Sequence, residues 1–120
     1  MILGRVQDKF PRVVLPVSGL EETIRVEFIV DTGFDGALAV PANILRFFDS
    51  IYIGNRTIFL ADKTPREGAY YHVFVEWEGE PRTMEATLME GRPLLGYEAM
   101  EGGLLQVEVS DGGEVSIDMS

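Results

Sequence analysis

The chain has 120 residues, 46% of them apolar, and carries 20 acids against 10 bases for a net charge of −10. That length suits one hydrophobic core rather than two, and the charge repels phosphate backbones, so nucleic acid is not an expected partner. With no cysteine and one histidine, His72, there is no disulfide framework, no thiolate nucleophile, no His pair for zinc and no evident Ser-His relay. No apolar run approaches the roughly 20 residues of a membrane span. The opening "MILGRVQDKF" has too short an apolar core for a secretory signal. These features predict one domain over residues 1–120, cytoplasmic, with no membrane partner.

Taken in order, the pattern is β almost throughout. "ILGRVQ" and "RVVLPV" (12–17), separated by the polar break Asp8-Lys9-Phe10-Pro11, predict an N-terminal hairpin. "TIRVEFIV" alternates, with Ile24, Val26, Phe28 and Val30 on one face and Arg25 and Glu27 on the other. "ALAV" is a short apolar strand, after which Pro41 suits the first position of a helix, "ANILRFF", of about two turns. "IYIGNRTIFL" reads as a hairpin turning at Gly54-Asn55, and the polar run 61–68 as a protruding loop. "YYHVFVEW", a turn at 78–81 and "RTMEATLM" follow. "GRPLLGYEAMEGG" is a loop, an apolar knot and a helical turn, and "LLQVEVSDGGEVSIDM" closes the chain as a hairpin. Many short strands with frequent turns predict an all-β antiparallel barrel or sandwich with one or two short helices.

The chemistry concentrates in "VDTGFDG" (30–36). A strand that runs straight into Asp31-Thr32-Gly33 holds a carboxylate at the end of a rigid element. Thr32 supplies a hydroxyl to tie down neighbouring backbone. Gly33 removes bulk so that another backbone can approach, or permits positive φ. The same letters also spell an ordinary Asp/Gly turn after a strand, and the tripeptide alone does not separate the two.

About sixty residues on comes "PLLGYEAM" (93–100). With both elements in this order the chain resembles the retroviral-type (retropepsin-like) aspartic proteases, in particular the small archaeal and bacterial members with an Asp-Thr-Gly-Phe motif. The likeness runs over nearly the whole chain. It takes in the N-terminal strands, "FIVDTGFDGALAVP", a flap-like hairpin at about 58–75, and Leu94, Leu95 and Gly96 as the family's apolar-apolar-Gly element. It implies a closed acid-protease-like barrel that dimerises, because the chain contains one "DTG" and the family's site uses two. Asp31 of each subunit would then activate a water that attacks a peptide bond, with no metal or cofactor. The implied substrate is a peptide or an unfolded protein.

By position, Thr32 would bond across the dimer axis and Gly33 would lie against the substrate backbone. Asp35 would contact substrate main chain and pair with an arginine of the partner, Arg5 in preference to Arg12, or else merely cap a turn. Phe34 stands where retroviral enzymes have a small residue, and would line the cleft or belong to the dimer core. The tip Asp62-Lys63-Thr64 would meet substrate, although it is polar where family flaps are glycine-rich and apolar. His72 could face the cleft or be packed, and Trp77 reads as core or interface. Two other readings stand beside the protease: a catalytically weak or inactive peptide-binding module on the same fold, and an interaction domain in which Asp31 is an ordinary turn residue.

Overall fold

The computed structural model describes residues 1–59 and 62–119. Among these residues ten strands make one sheet, accompanied by two helices of a single turn each. In chain order they are β1 (Ile2–Gln7), β2 (Phe10–Ser18), β3 (Thr23–Val30), β4 (Leu38–Val40), α1 (Ala42–Leu45), β5 (Ser50–Phe59), β6 (Pro65–Trp77), β7 (Glu80–Leu88), β8 (Leu94–Leu95), α2 (Tyr97–Met100), β9 (Leu104–Val107) and β10 (Glu114–Asp118). The chain is therefore mostly β, as its alternating pattern predicts. No helix among the described residues is long and apolar enough to cross a membrane.

The strand order is β5-β6-β7-β4-β8-β3-β2-β1-β10-β9. The sheet curls until β2 meets β6, but only at Val17 opposite Val75, so the ring is not the clean closed barrel expected. Nor is it wholly antiparallel: β3 runs parallel to β8, and β4 parallel to β7. Local alternation cannot report such pairings, because period-2 burial looks the same whichever way the neighbouring strand runs.

Two of the turns are two-residue links with both residues at positive φ, the geometry that matches the twist of a hairpin. Asp8 and Lys9 (φ 51° and 70°) join β1 to β2, and Glu78 and Gly79 (φ 53° and 83°) join β6 to β7. Gly54-Asn55 is not a turn. Strand β5 passes through it without reversing, and its pairing with β6 skips from Tyr52 to Gly54, so the glycine marks a β-bulge. The reversal lies further on, after Phe59, which pairs with Pro65. Residues 65–68, expected in a loop, are therefore strand. Leu60 and Ala61, read as the strand's last residue and the loop's first, lie outside the described residues.

Helix α1 is one turn rather than two, and Pro41 is its N-cap in extended geometry (φ −75°, ψ 158°), not its first residue. The interior of the curled sheet is filled by Val13, Leu15, Val17, Phe28, Leu38, Val73, Val75, Leu95, Val115 and Ile117, with Phe48 beneath α1. The inward face of β3 is the predicted one, but Ile29 on its other face is also buried where β8 is laid alongside.

Candidate functional site

The strand β3 ends at Val30, and the next seven residues form a loop before β4. Strand β8 is inserted between β3 and β4. Leu94 and Leu95 pair parallel with Ile29 and Val30, and antiparallel with Ala39 and Leu38. Two motifs distant in the chain are thus made neighbours by four ladder pairs, with Leu95 fully buried as the anchor.

The loop and the turn after β8 then exchange backbone bonds. Asp31 N–H donates to the Leu95 carbonyl (2.9 Å) and Gly96 N–H to that of Ala37 (2.8 Å). Tyr97 N–H donates to the Phe34 carbonyl (2.8 Å), and Glu98 N–H to that of Gly36 (3.2 Å). The N-terminus of α2 has no side-chain cap, so these loop carbonyls satisfy amides that the helix leaves free.

Asp31 is half-buried, and its Oδ1 accepts the Gly33 N–H at 2.9 Å. Of the two expectations for glycine at 33, positive φ is not realised. Gly33 is not in the left-handed region. A Cβ there would sit 3.1 Å from Asp31 Oδ1 and nothing else nearer, so the glycine leaves room for the carboxylate itself. Thr32, Gly33 and Asp35 are exposed, and Phe34 is half-buried.

A cleft of about 380 Å³ opens beside this loop. Gly33, Phe34, Asp35 and Gly36 form one wall, residues 56–59 of β5 the other, with Thr87, Met89 and Glu98 completing it. A second cavity of about 510 Å³, lined among others by Ala42, Arg66, Glu67 and Gly68, shares Ile58 and Met89 with it. On its far side the loop meets a smaller cavity of about 170 Å³, lined by Thr32, Tyr97 and Leu105 among others.

The hairpin wall is Arg56 to Phe59, not the tip: Asp62, Lys63 and Thr64 do not line the cleft. Arg56 is pinned there by an ion pair with Glu85 (2.8 Å) and by the Tyr70 ring, 3.8 Å from its guanidinium. Slight burial works against the charge, but the Tyr70 hydrogen bond and the Glu85 carboxylate outweigh it and raise the guanidinium above its ordinary value. Arg56, Ile58, Met89 and Glu98 are site residues that the sequence reading did not find. They become neighbours only when β5, β7 and α2 are brought around the loop.

At the tip Asp62 Oδ1 accepts the Thr64 N–H (2.9 Å) around Lys63 at φ 66°, a tight Asx-type turn. Bonds from Thr64, side chain first and then backbone, hold the Asp62 carboxyl below its usual 3.8. The pKa is lowered on folding, so the turn's stabilisation is complete above the ordinary value and fades as pH falls through the lowered one. The Thr64 amide resonance should therefore move on acidification from about pH 5 to about pH 2 in the wild type, and stay still in Asp62→Ala.

Of the remaining candidates, Asp35 makes no ion pair among the described residues. Arg12 is spent internally on Glu27 (2.9 Å) and the Gln7 carbonyl (3.0 Å), whereas among the described residues Arg5 makes a 3.4 Å bond to the Gly112 carbonyl and no ion pair. His72 is half-buried mid-strand, opposite Ile51 and Glu85, and does not line the cleft. Trp77 is core, with the Arg82 guanidinium 4.9 Å over its ring. Compared with known proteins, the chain matches no family model and no curated protein.

Proposed function

We propose that the protein is a homodimeric aspartic endopeptidase of the retropepsin type, built on an acid-protease-like barrel, with Asp31 of each subunit forming the reactive pair. The observation that carries this reading is the placement of Asp31: directly after a core strand, its Oδ1 bonded to Gly33 N–H, in a loop whose next residues, Gly33 to Gly36, wall a cleft of about 380 Å³. Two such carboxylates a few ångströms apart share one proton, because both cannot ionise cheaply. The ionised member takes a proton from a bound water as the water oxygen attacks the scissile carbonyl carbon, while the protonated member gives its proton to the carbonyl oxygen and recovers it when the intermediate collapses. The tetrahedral diol then collapses, the C–N bond breaks, and the carboxyl that gained the water's proton passes a proton to the leaving amine.

The face next to Asp31 suits a second copy. Thr32, Tyr97 (52% exposed) and Leu105 line a cavity there, and the neighbouring β9, with Leu104 58% exposed, ends the sheet among the described residues. A strand edge with exposed apolar residues invites pairing, and an isologous contact through it sets two loops about one axis. A charge at that edge opposes association, so Leu104→Glu should weaken the dimer by about 100-fold, read by sedimentation equilibrium.

The test of the function is cleavage of a mixed peptide library between about pH 4 and pH 7, the range in which a shared-proton pair titrates. Fragments read by mass spectrometry would support the endopeptidase and give its specificity. Peptide retained by dimeric protein without cleavage would favour a binding module that holds an extended chain in the groove. A monomer at working concentration that neither binds nor cleaves would leave Asp31 as a turn residue.

A further inference from the structure

The loop that carries Asp31 contains a second feature with a defined seat. The ring of Phe34 lies over two glycines, one in its own loop and one in the turn after β8. The three atoms nearest a Cβ built on Gly36 all belong to the ring, Cζ at 2.7 Å and the two Cε atoms at 3.2 and 3.3 Å. A Cβ on Gly96 would stand 2.5 Å from the ring's Cδ2, as well as 2.1 Å from the Gly36 carbonyl oxygen. The same residue's backbone closes the loop at both ends, its N–H donating to the Asp31 carbonyl (3.2 Å) and its carbonyl accepting from Tyr97 (2.8 Å). An aromatic residue at 34 and glycines at 36 and 96 are therefore one steric unit, joining the Asp31 loop to the Leu95–Gly96 turn.

We infer that Phe34 is a positioning residue for Asp31: its ring, seated on Gly36 and Gly96, holds the loop against α2 and so fixes where the Asp31 carboxylate points. The inference rests on the reading of Asp31 as the reacting group. It assigns Phe34, which also lines the cleft, a positioning duty that neither lining a pocket nor packing a dimer core would supply.

Gly36→Ala is the discriminating variant, because it leaves the ring chemically intact and denies it its seat. Gly36→Ala and Phe34→Ala should each speed hydrogen exchange at the Gly96 and Tyr97 amides by about tenfold. Each should also shift the carbon-13 titration midpoint of the Asp31 carboxyl by about half a unit. In the Phe34→Ala background, Gly36→Ala should have much less effect than in the wild type, since the three atoms nearest its methyl are gone. Val115→Ala, at a fully buried position on β10, is the control: it lowers stability but should leave the Asp31 midpoint where it was.

The inference is overturned if Phe34→Ala and Gly36→Ala lower the melting temperature as Val115→Ala does yet leave the Asp31 titration unchanged. It is equally overturned if the two effects simply add. Should Phe34→Ala fail to fold, Phe34→Leu and the single Gly36→Ala carry the same comparison. The readout is the carboxyl and not turnover, so the two readings fail separately. A titration shift in a protein that cleaves nothing would sink the endopeptidase and keep the seat, and cleavage with no titration shift would do the reverse.

Discussion

Replacing Asp31 by asparagine is expected to reduce peptide cleavage by at least ~10³-fold while leaving the fold and the dimer in place. The amide is close to isosteric, and its oxygen can still accept the Gly33 N–H that Oδ1 accepts at 2.9 Å, so the loop has no reason to rearrange. What is lost, on the proposed mechanism, is the base. An amide cannot take the proton of the attacking water, and a pair of asparagines holds no proton to share. The wild-type rate should fall on both sides of an optimum, since one carboxyl must be ionised and its twin protonated. Equal fragment yields from wild type and Asp31→Asn, on protein of the same melting temperature, would end the catalytic reading. Retained peptide binding by Asp31→Asn is expected, because the groove walls at Phe34, Ile58 and Met89 are untouched.

The second large effect is on stability. Gly96→Ala should lower it by about 3 kcal/mol, at the upper end of the range for overpacking a tight site. The new methyl would stand 2.1 Å from the Gly36 carbonyl oxygen and 2.8 Å from that of Phe34, and both belong to backbone that cannot swing aside. Relief requires the turn after β8 to part from the loop. That stretches the Gly96, Tyr97 and Glu98 donors away from the Ala37, Phe34 and Gly36 carbonyls. In a domain of this size a loss of that order lowers the melting temperature by roughly 10 °C, readable by calorimetry. Gly79→Ala makes a useful contrast. Nothing lies within 4 Å of its added Cβ, and its cost is confined to holding a side chain at φ 83°. A Gly96→Ala protein as stable as wild type would mean that the loop and the turn are not in fact locked together.

Much of the molecule was legible in its letters. The alternation of Val26, Phe28 and Val30 named the inward face of β3, and all three are buried. The polar breaks at 8–11 and 78–81 marked hairpin turns, which the structure narrows to Asp8-Lys9 and Glu78-Gly79, with Phe10 and Glu80 already in strands. Gly54-Asn55 carried the same signal and is a bulge. A glycine next to an asparagine fits either geometry, and the choice fell to the pairing of β5 with β6 over its whole length. Pro41 announced a helix start correctly in kind but one position off, since its fixed φ suits the extended N-cap as well as the first helical residue.

By itself the sequence determined a β-rich chain, the strand that delivers Asp31, the acidic balance and the pair of motifs. These follow from side-chain period, turn chemistry and charge, which are local properties. Only the tertiary structure decided that Leu94 and Leu95 slide between β3 and β4, and that Arg56 rather than Asp62 walls the cleft. It also decided that Phe34 requires glycine at 36 and 96. Those are contacts between segments far apart in the chain, chosen by which arrangement of strands buries the core and satisfies the backbone amides together. No window of sequence contains both sides of such a choice.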